Sequence, residues 1–233
     1  MTVRVLPRTV IYDVKLTLSL PVPLSMTSGL NAIAHSVEGL YARDGNPIMA
    51  LLAEEGIRAL AVALPQVQAR PDDLQARSQA QYGAWLCGTV LGNVGMALHH
   101  KLCHTLGGSF NLPHAETHAI MLPHALAYNA PAIPEAMAAL RRALGHGDPA
   151  LALFELGRQL GVPAGLAALV DAAAVVARLG AALGMPAEGI ERAVDLALQN
   201  AYWNPRPLEK AALHDLLSRA HAGQAPVAAQ GDT

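Results

Sequence analysis

Apolar side chains recur at helical spacing through most of this 233-residue chain, and one short stretch near its start departs from that pattern. Residues 3–20 are the only β-like segment, and Val10, Ile11 and Tyr12 predict a short strand there. A strand needs a partner for its backbone groups, so a lone strand reads as the remnant of a domain seam, with 1–20 a remnant strand and linker. Pro21 and Pro23 end it. Thr27 or Ser28 then caps a helix whose buried face is Leu30, Ile33, Ala34, Val37 and Leu40. Arg43-Asp44-Gly45-Asn46-Pro47 is a turn. Pro47 is placed to start a second helix, which runs to about residue 63 and buries Leu51, Leu52, Ile57, Leu60 and Val62. Pro71-Asp72-Asp73 opens a long third helix that carries His99, His100 and His104. Glycine costs a helix about 1 kcal/mol, so Gly88, Gly92 and Gly95 on that helix predict close approach by another helix or a ligand. Further helices are expected over 133–144, 150–160, 167–183, 187–201 and 207–220, with 222–233 a disordered tail. The fold class is therefore all-α and multi-helix, with a helical domain over 21–221.

Composition supports this reading. Hydrophobic residues make up 52% and aromatics only 4%, so alanine and leucine, both helix formers, carry the core. A net charge of −2 gives no basic surface for nucleic acid or an anionic membrane. Ser78 to His100 lacks charge and is long enough to span a bilayer, but Gln79, Gln81, Tyr82 and Asn93 interrupt it, so it reads as a buried helix. Cys87 and Cys103 are too few for a disulfide framework and read as small core residues, which fits a cytoplasmic protein.

The chemistry concentrates in residues 97–124, which hold six of the ten histidines: His99, His100, His104, His114, His118 and His124. His100 and His104 are four apart and share a helix face. The LGGSF segment reads as a turn that brings His114 back toward them. Upstream, Asn31 and His35 are also four apart, with Glu38 three further on as an intrahelical partner. Such a cluster suits a metal or a small anion. The alternative is a set of core histidines, each with one satisfied hydrogen bond.

Three stretches, GLNAIAHSVEGLYA (29–42), GNVGMALHHKLCHTLGGSFNLPHAETHAIMLPH (92–124) and NPRPLEKAAL (204–213), resemble the helical C-terminal half of the iron-containing alcohol dehydrogenase superfamily. Within it they are most similar to the maleylacetate reductases. The resemblance implies the dehydroquinate synthase-like C-terminal domain, with NADH or NADPH held by a nucleotide-binding domain that this sequence does not contain. It also implies a divalent metal (Fe or Zn) bound by an Asp and three His. The Asp position is Asn31 here, and the histidines are His35, His100 and His114. His104 matches the additional histidine near substrate and nicotinamide. A neutral amide is a weaker ligand than a carboxylate, so metal binding is expected to be weakened by Asn31.

The resemblance further implies reduction of maleylacetate to 3-oxoadipate in aromatic-compound degradation. Hydride addition to an activated alkene does not require a metal. His35, His100 and His114 are then expected to form a partly cationic pocket for a small dicarboxylate, with Asn31 and Lys101 also touching substrate and His104 donating a proton. His99, His118 and His124 read as supporting residues. Expected partners are a separate nucleotide-binding domain and a second copy in a homodimer. A catalytically silent helical module, or a metal-dependent alcohol dehydrogenase of the same superfamily, are the competing readings.

Overall fold

The computed structural model describes residues 9–145, 147–169, 185–199 and 202–227. All regular structure among them is helical. No strand forms at Val10–Tyr12, where among the described residues no second extended segment offers a ladder. Residues 9–13 carry no regular structure, and Val14–Ser19 forms a 3-10 helix capped by the Asp13 carboxylate, which accepts from the Lys15 amide. The helix expected over 167–183 falls largely outside the described residues, as do parts of the expected strand and tail.

Helix α1 spans Val22–Gly39. It starts earlier than the Thr27 or Ser28 cap predicts, because Pro23 sits in the first turn, where its missing N–H costs nothing. Its face of Met26, Leu30, Ile33, Ala34 and Val37 is buried. Helix α2, Pro47–Ala69, begins at the expected proline, with the Asn46 side chain accepting from the Met49 amide. It continues past residue 63 and through Pro65. Leu51 and Val62, expected inside, face outward, while Ile57, Leu60 and Leu64 hold the core.

Helix α3, Leu74–Leu91, is capped by Asp73 and packs tightly on α2. The close approach lies at Gly56 and Gly83, where an added Cβ would stand 2.9 Å from Cys87 Sγ and 2.8 Å from Leu60 Cγ. Gly88, by contrast, faces open space. The long third helix of the sequence reading is in fact two. Residues 92–97 break it, and α4, Leu98–Phe110, starts anew. The LGGSF glycines lie within α4, not in a turn, and Asn111 ends that helix in the left-handed conformation at φ 53°.

Helix α5, His114–Asn129, is buried continuously from Thr117 onward. It separates two apolar clusters. One gathers Ile33, Ile57, Leu60, Leu126 and Leu140 from α1, α2, α5 and α6 (Pro134–Leu144), extended by α7 (Pro149–Gln159). The other gathers Leu98, Leu102, Met121, Val194 and Leu217 from α4, α5, α8 (Gly189–Leu198) and α9 (Lys210–Ala222). Among the described residues, no helix is long and apolar enough to cross a membrane. Ile11, Leu16 and Leu18 are exposed on the N-terminal segment.

Candidate active site

Three helices meet where the chemistry gathers. Helix α1 presents Asn31, His35 and Glu38 on one face. Helix α4 brings His99, His100, Lys101 and His104 in its first two turns, and α5 brings His114 and His118.

Glu38 is the keystone of this corner, and it is not the intrahelical partner the sequence suggests. It is 1% exposed, and its carboxylate crosses to the start of α4. Oε2 accepts from the Ala97 amide at 2.8 Å, Oε1 from the His99 amide at 2.7 Å, and His100 Nδ1 stands 2.7 Å from Oε2. Helix α4 has no side-chain cap of its own, so Glu38 supplies one from α1, where an anion also meets the positive end of the helix. Burial works to raise the Glu38 carboxyl, but the His100 hydrogen bond, the neighbouring His99 and His100 rings and the Ala97 amide together hold it below the usual value.

A carboxylate only accepts, so His100 Nδ1 carries the hydrogen; it also lies 3.4 Å from His99 Nδ1. His35 stacks on His100 with centroids 4.9 Å apart. His118 meets His99, His100 and His114 at 4.9, 5.1 and 4.1 Å. His104 lies at the exposed rim, 6.2 Å from His100 and 6.4 Å from His118. His114 is exposed at the first turn of α5, whereas His118, one turn on, is buried. Lys101 is half-buried and places its ammonium 5.5 Å from the centre of the Tyr202 ring.

Burial first, and neighbouring imidazoles second, lower several of these rings. Burial, then repulsion from His100, lowers His35 to about 4. Burial, then His100, lowers His99 to about 3. His118 is pushed down by burial and by its neighbours His99 and His100, and His104 by burial, His100 and His114. The His35 ring is therefore neutral near pH 7 in the free protein, because burial makes its charge expensive.

Several polar atoms here are buried and have no hydrogen-bond partner among the described residues: Asn31 Oδ1, His100 Nε2, both ring nitrogens of His118, and the nearby Tyr202 hydroxyl. An unpartnered buried polar group costs about 1–3 kcal/mol, so such a concentration marks a place built for something other than folding.

The residues that the resemblance assigns to a divalent metal fit it poorly. Asn31 offers a neutral oxygen, and His114 is exposed. Among the described residues, the trio whose ligand atoms lie within 4.8 Å of one another is instead His99, His100 and His118. His99 and His118 thus belong to the site more closely than the sequence reading allowed. The His114–His118 spacing repeats that of His100–His104 and was the available signal. Cys87 and Cys103 are buried and free, as expected, and burial raises both thiols. His124 stands apart beside Phe154.

Residues 25–221 match the family model described as "Fe-containing alcohol dehydrogenase family, C-terminal". The chain is 58% identical over 223 residues to maleylacetate reductase from Pseudomonas sp. (strain P51), covering 96% of this chain and 59% of that protein. It is 57% identical, with the same coverage, to maleylacetate reductase from Burkholderia cepacia. The crystal structure of maleylacetate reductase from Agrobacterium tumefaciens superposes with a TM-score of 0.84 at 53% identity, covering 95% of this chain and 59% of that one. The chain thus spans about three fifths of the length of the curated relatives it matches.

Proposed function

Because this chain belongs to the iron-containing alcohol dehydrogenase family through that family's C-terminal domain, we propose that it forms the substrate half of an NAD(P)H-dependent maleylacetate reductase. The observation that carries this reading is the histidine pocket seated on Glu38, with its unpartnered buried nitrogens, in a chain 58% identical to a maleylacetate reductase.

A bound reduced nicotinamide would supply the hydride for the alkene carbon β to the substrate ketone, leaving the electron pair of the double bond displaced toward the ketone oxygen. The residues of this chain act on what remains. His35 and His100 line the floor, Asn31 offers an uncharged amide in place of a repelling carboxylate, and Lys101 supplies a fixed positive charge near the rim. His104, the exposed imidazole, delivers the proton that completes the carbon α to the ketone. A dicarboxylate entering beside His35 and His104 opposes the burial and repulsion that lower them, because a nearby anion favours the imidazolium. No described residue is assigned to the nicotinamide, and no step uses a metal.

The test supplies the nucleotide-binding domain of the Pseudomonas sp. (strain P51) relative as a separate polypeptide and follows NADH oxidation. Maleylacetate should be reduced in the mixture and simple primary alcohols should not be oxidised. Alcohol oxidation without maleylacetate reduction would overturn the reading.

A further inference from the structure

We infer that Asn129 is a positioning residue for the proposed reduction: paired with Asn204, it fixes the irregular segment 202–209 on α5 and so holds Tyr202 in the wall of the pocket. The inference rests on the dicarboxylate reading and adds to it a group that touches neither substrate nor cofactor. Residues 202–209 form neither helix nor strand, and such a segment keeps one geometry only where its polar groups are tied to a rigid element. The last turn of α5 ties it. Asn129 Nδ2 donates to Asn204 Oδ1 at 3.0 Å, and Asn204 Nδ2 donates back to Asn129 Oδ1 at 2.8 Å and to the Arg206 carbonyl at 2.7 Å. Tyr128 holds the same segment with its hydroxyl, which donates to the Pro207 carbonyl at 2.7 Å and accepts from the Glu209 amide at 3.2 Å. The Tyr128 carbonyl accepts from Arg206 Nη1 at 2.9 Å, and the Arg206 guanidinium lies 4.4 Å from the centre of the Tyr128 ring.

Two further contacts join this clamp to the site. Asn129 is 0% exposed, and its amide also donates to the Tyr41 hydroxyl at 3.5 Å, which itself lies 3.4 Å from Glu38 Oε1. The segment is thus registered against the carboxylate that orients His100. At its other end Tyr202 lies beneath the Lys101 ammonium, with its hydroxyl buried and without a partner among the described residues. Burial, then the Glu38 charge, push that phenol up, so it stays a donor. A buried donor left open beside a cation suits an anionic ligand. An apolar pair of the same shape would hold the segment about as firmly, since replacing both partners of a buried hydrogen bond can be nearly neutral. What two reciprocal amides add is a single register.

The test follows maleylacetate reduction in the mixture with the separate nucleotide-binding domain, using the unaltered chain, Asn129→Ala, Asn204→Ala and the double variant. Displacement of Tyr202 should raise KM by about tenfold in each single variant, and the double variant should be no worse than either, because both changes remove one interaction. A merely structural role would reduce the folded fraction, which lowers kcat and leaves KM alone. Trp203, beside Tyr202, reports the segment without substrate: in a Trp85→Phe background its emission should become more open to acrylamide quenching in Asn129→Ala. Should Asn129→Ala fail to fold, Asn204→Ala, on the half-buried side of the pair, carries the same measurements. An unchanged KM in an active mixture, additive losses in the double variant, or unchanged quenching would each overturn this role alone. Inactivity of the unaltered mixture would overturn the dicarboxylate reading and the role with it.

Discussion

Glu38 Oε2 and His100 Nδ1 lie 2.7 Å apart across the junction of α1 and α4, and the side chains are 0% and 8% exposed. That one contact orients the central imidazole, and the same carboxylate caps the helix that carries it. Folding and chemistry therefore depend on one group.

Replacing Glu38 with alanine leaves two buried amides and a ring nitrogen without their acceptor. Loss of one partner of a buried charged pair costs about 3–5 kcal/mol, and urea denaturation should show a loss of that size. Glutamine, which keeps an acceptor oxygen, should cost less than alanine. Equal losses would mean the charge and its hydrogen bonds do not matter.

The break between α3 and α4 shows why the sequence reading was incomplete. Residues 78–100 are uncharged and lack proline, so the only local signals for an end are Gly92 at the C-cap and Asn93, whose side chain donates to the Thr89 carbonyl at 2.8 Å. What holds the break and the new start at α4 comes from far away. Asp44 accepts from the Gly95 amide at 2.9 Å, and Glu38 takes the Ala97 and His99 amides. The apolar face of α1, the start of α2 at Pro47 and the Asp73 cap were legible because their causes lie within a turn or two. His35, His100 and His104 were legible through their spacing. Burial of His118 and exposure of His114 were not, since both follow from how α5 is wedged between two cores.

His124 gives a pH signature outside the site. Burial, reinforced by Arg219, lowers its pKa to about 4, against 6.5 for a free imidazole. Between those values the unfolded chain binds a proton that the folded chain refuses. Stability from this group is thus complete above about pH 6.5 and lost as pH falls toward 4, by about 3 kcal/mol in all. Denaturation of the protein and of His124→Phe across this window should show a weaker acid loss in the variant. Parallel curves would refute the assignment.

Asn31→Asp returns a carboxylate to the floor of the pocket. It should weaken dicarboxylate binding by about tenfold, a change of roughly 1.4 kcal/mol, and strengthen divalent metal binding. Calorimetry with 3-oxoadipate and with zinc measures both. A variant that binds the dianion more tightly would show that repulsion is not what Asn31 removes.

The N-terminal segment leaves Ile11 85% and Leu16 75% exposed, beside half-exposed Tyr12 and Leu18. A contiguous apolar seam favours association. Light scattering should show concentration-dependent self-association, reduced in Ile11→Ser/Leu16→Ser. A monodisperse monomer at high concentration would contradict this.

The most direct test of the account is calorimetric titration of 3-oxoadipate into this protein and into His100→Ala. Saturable binding by the protein, weakened at least tenfold in the variant, is the predicted result. No binding by the unaltered protein, or equal binding by both, would contradict a substrate pocket built on His100 and Glu38.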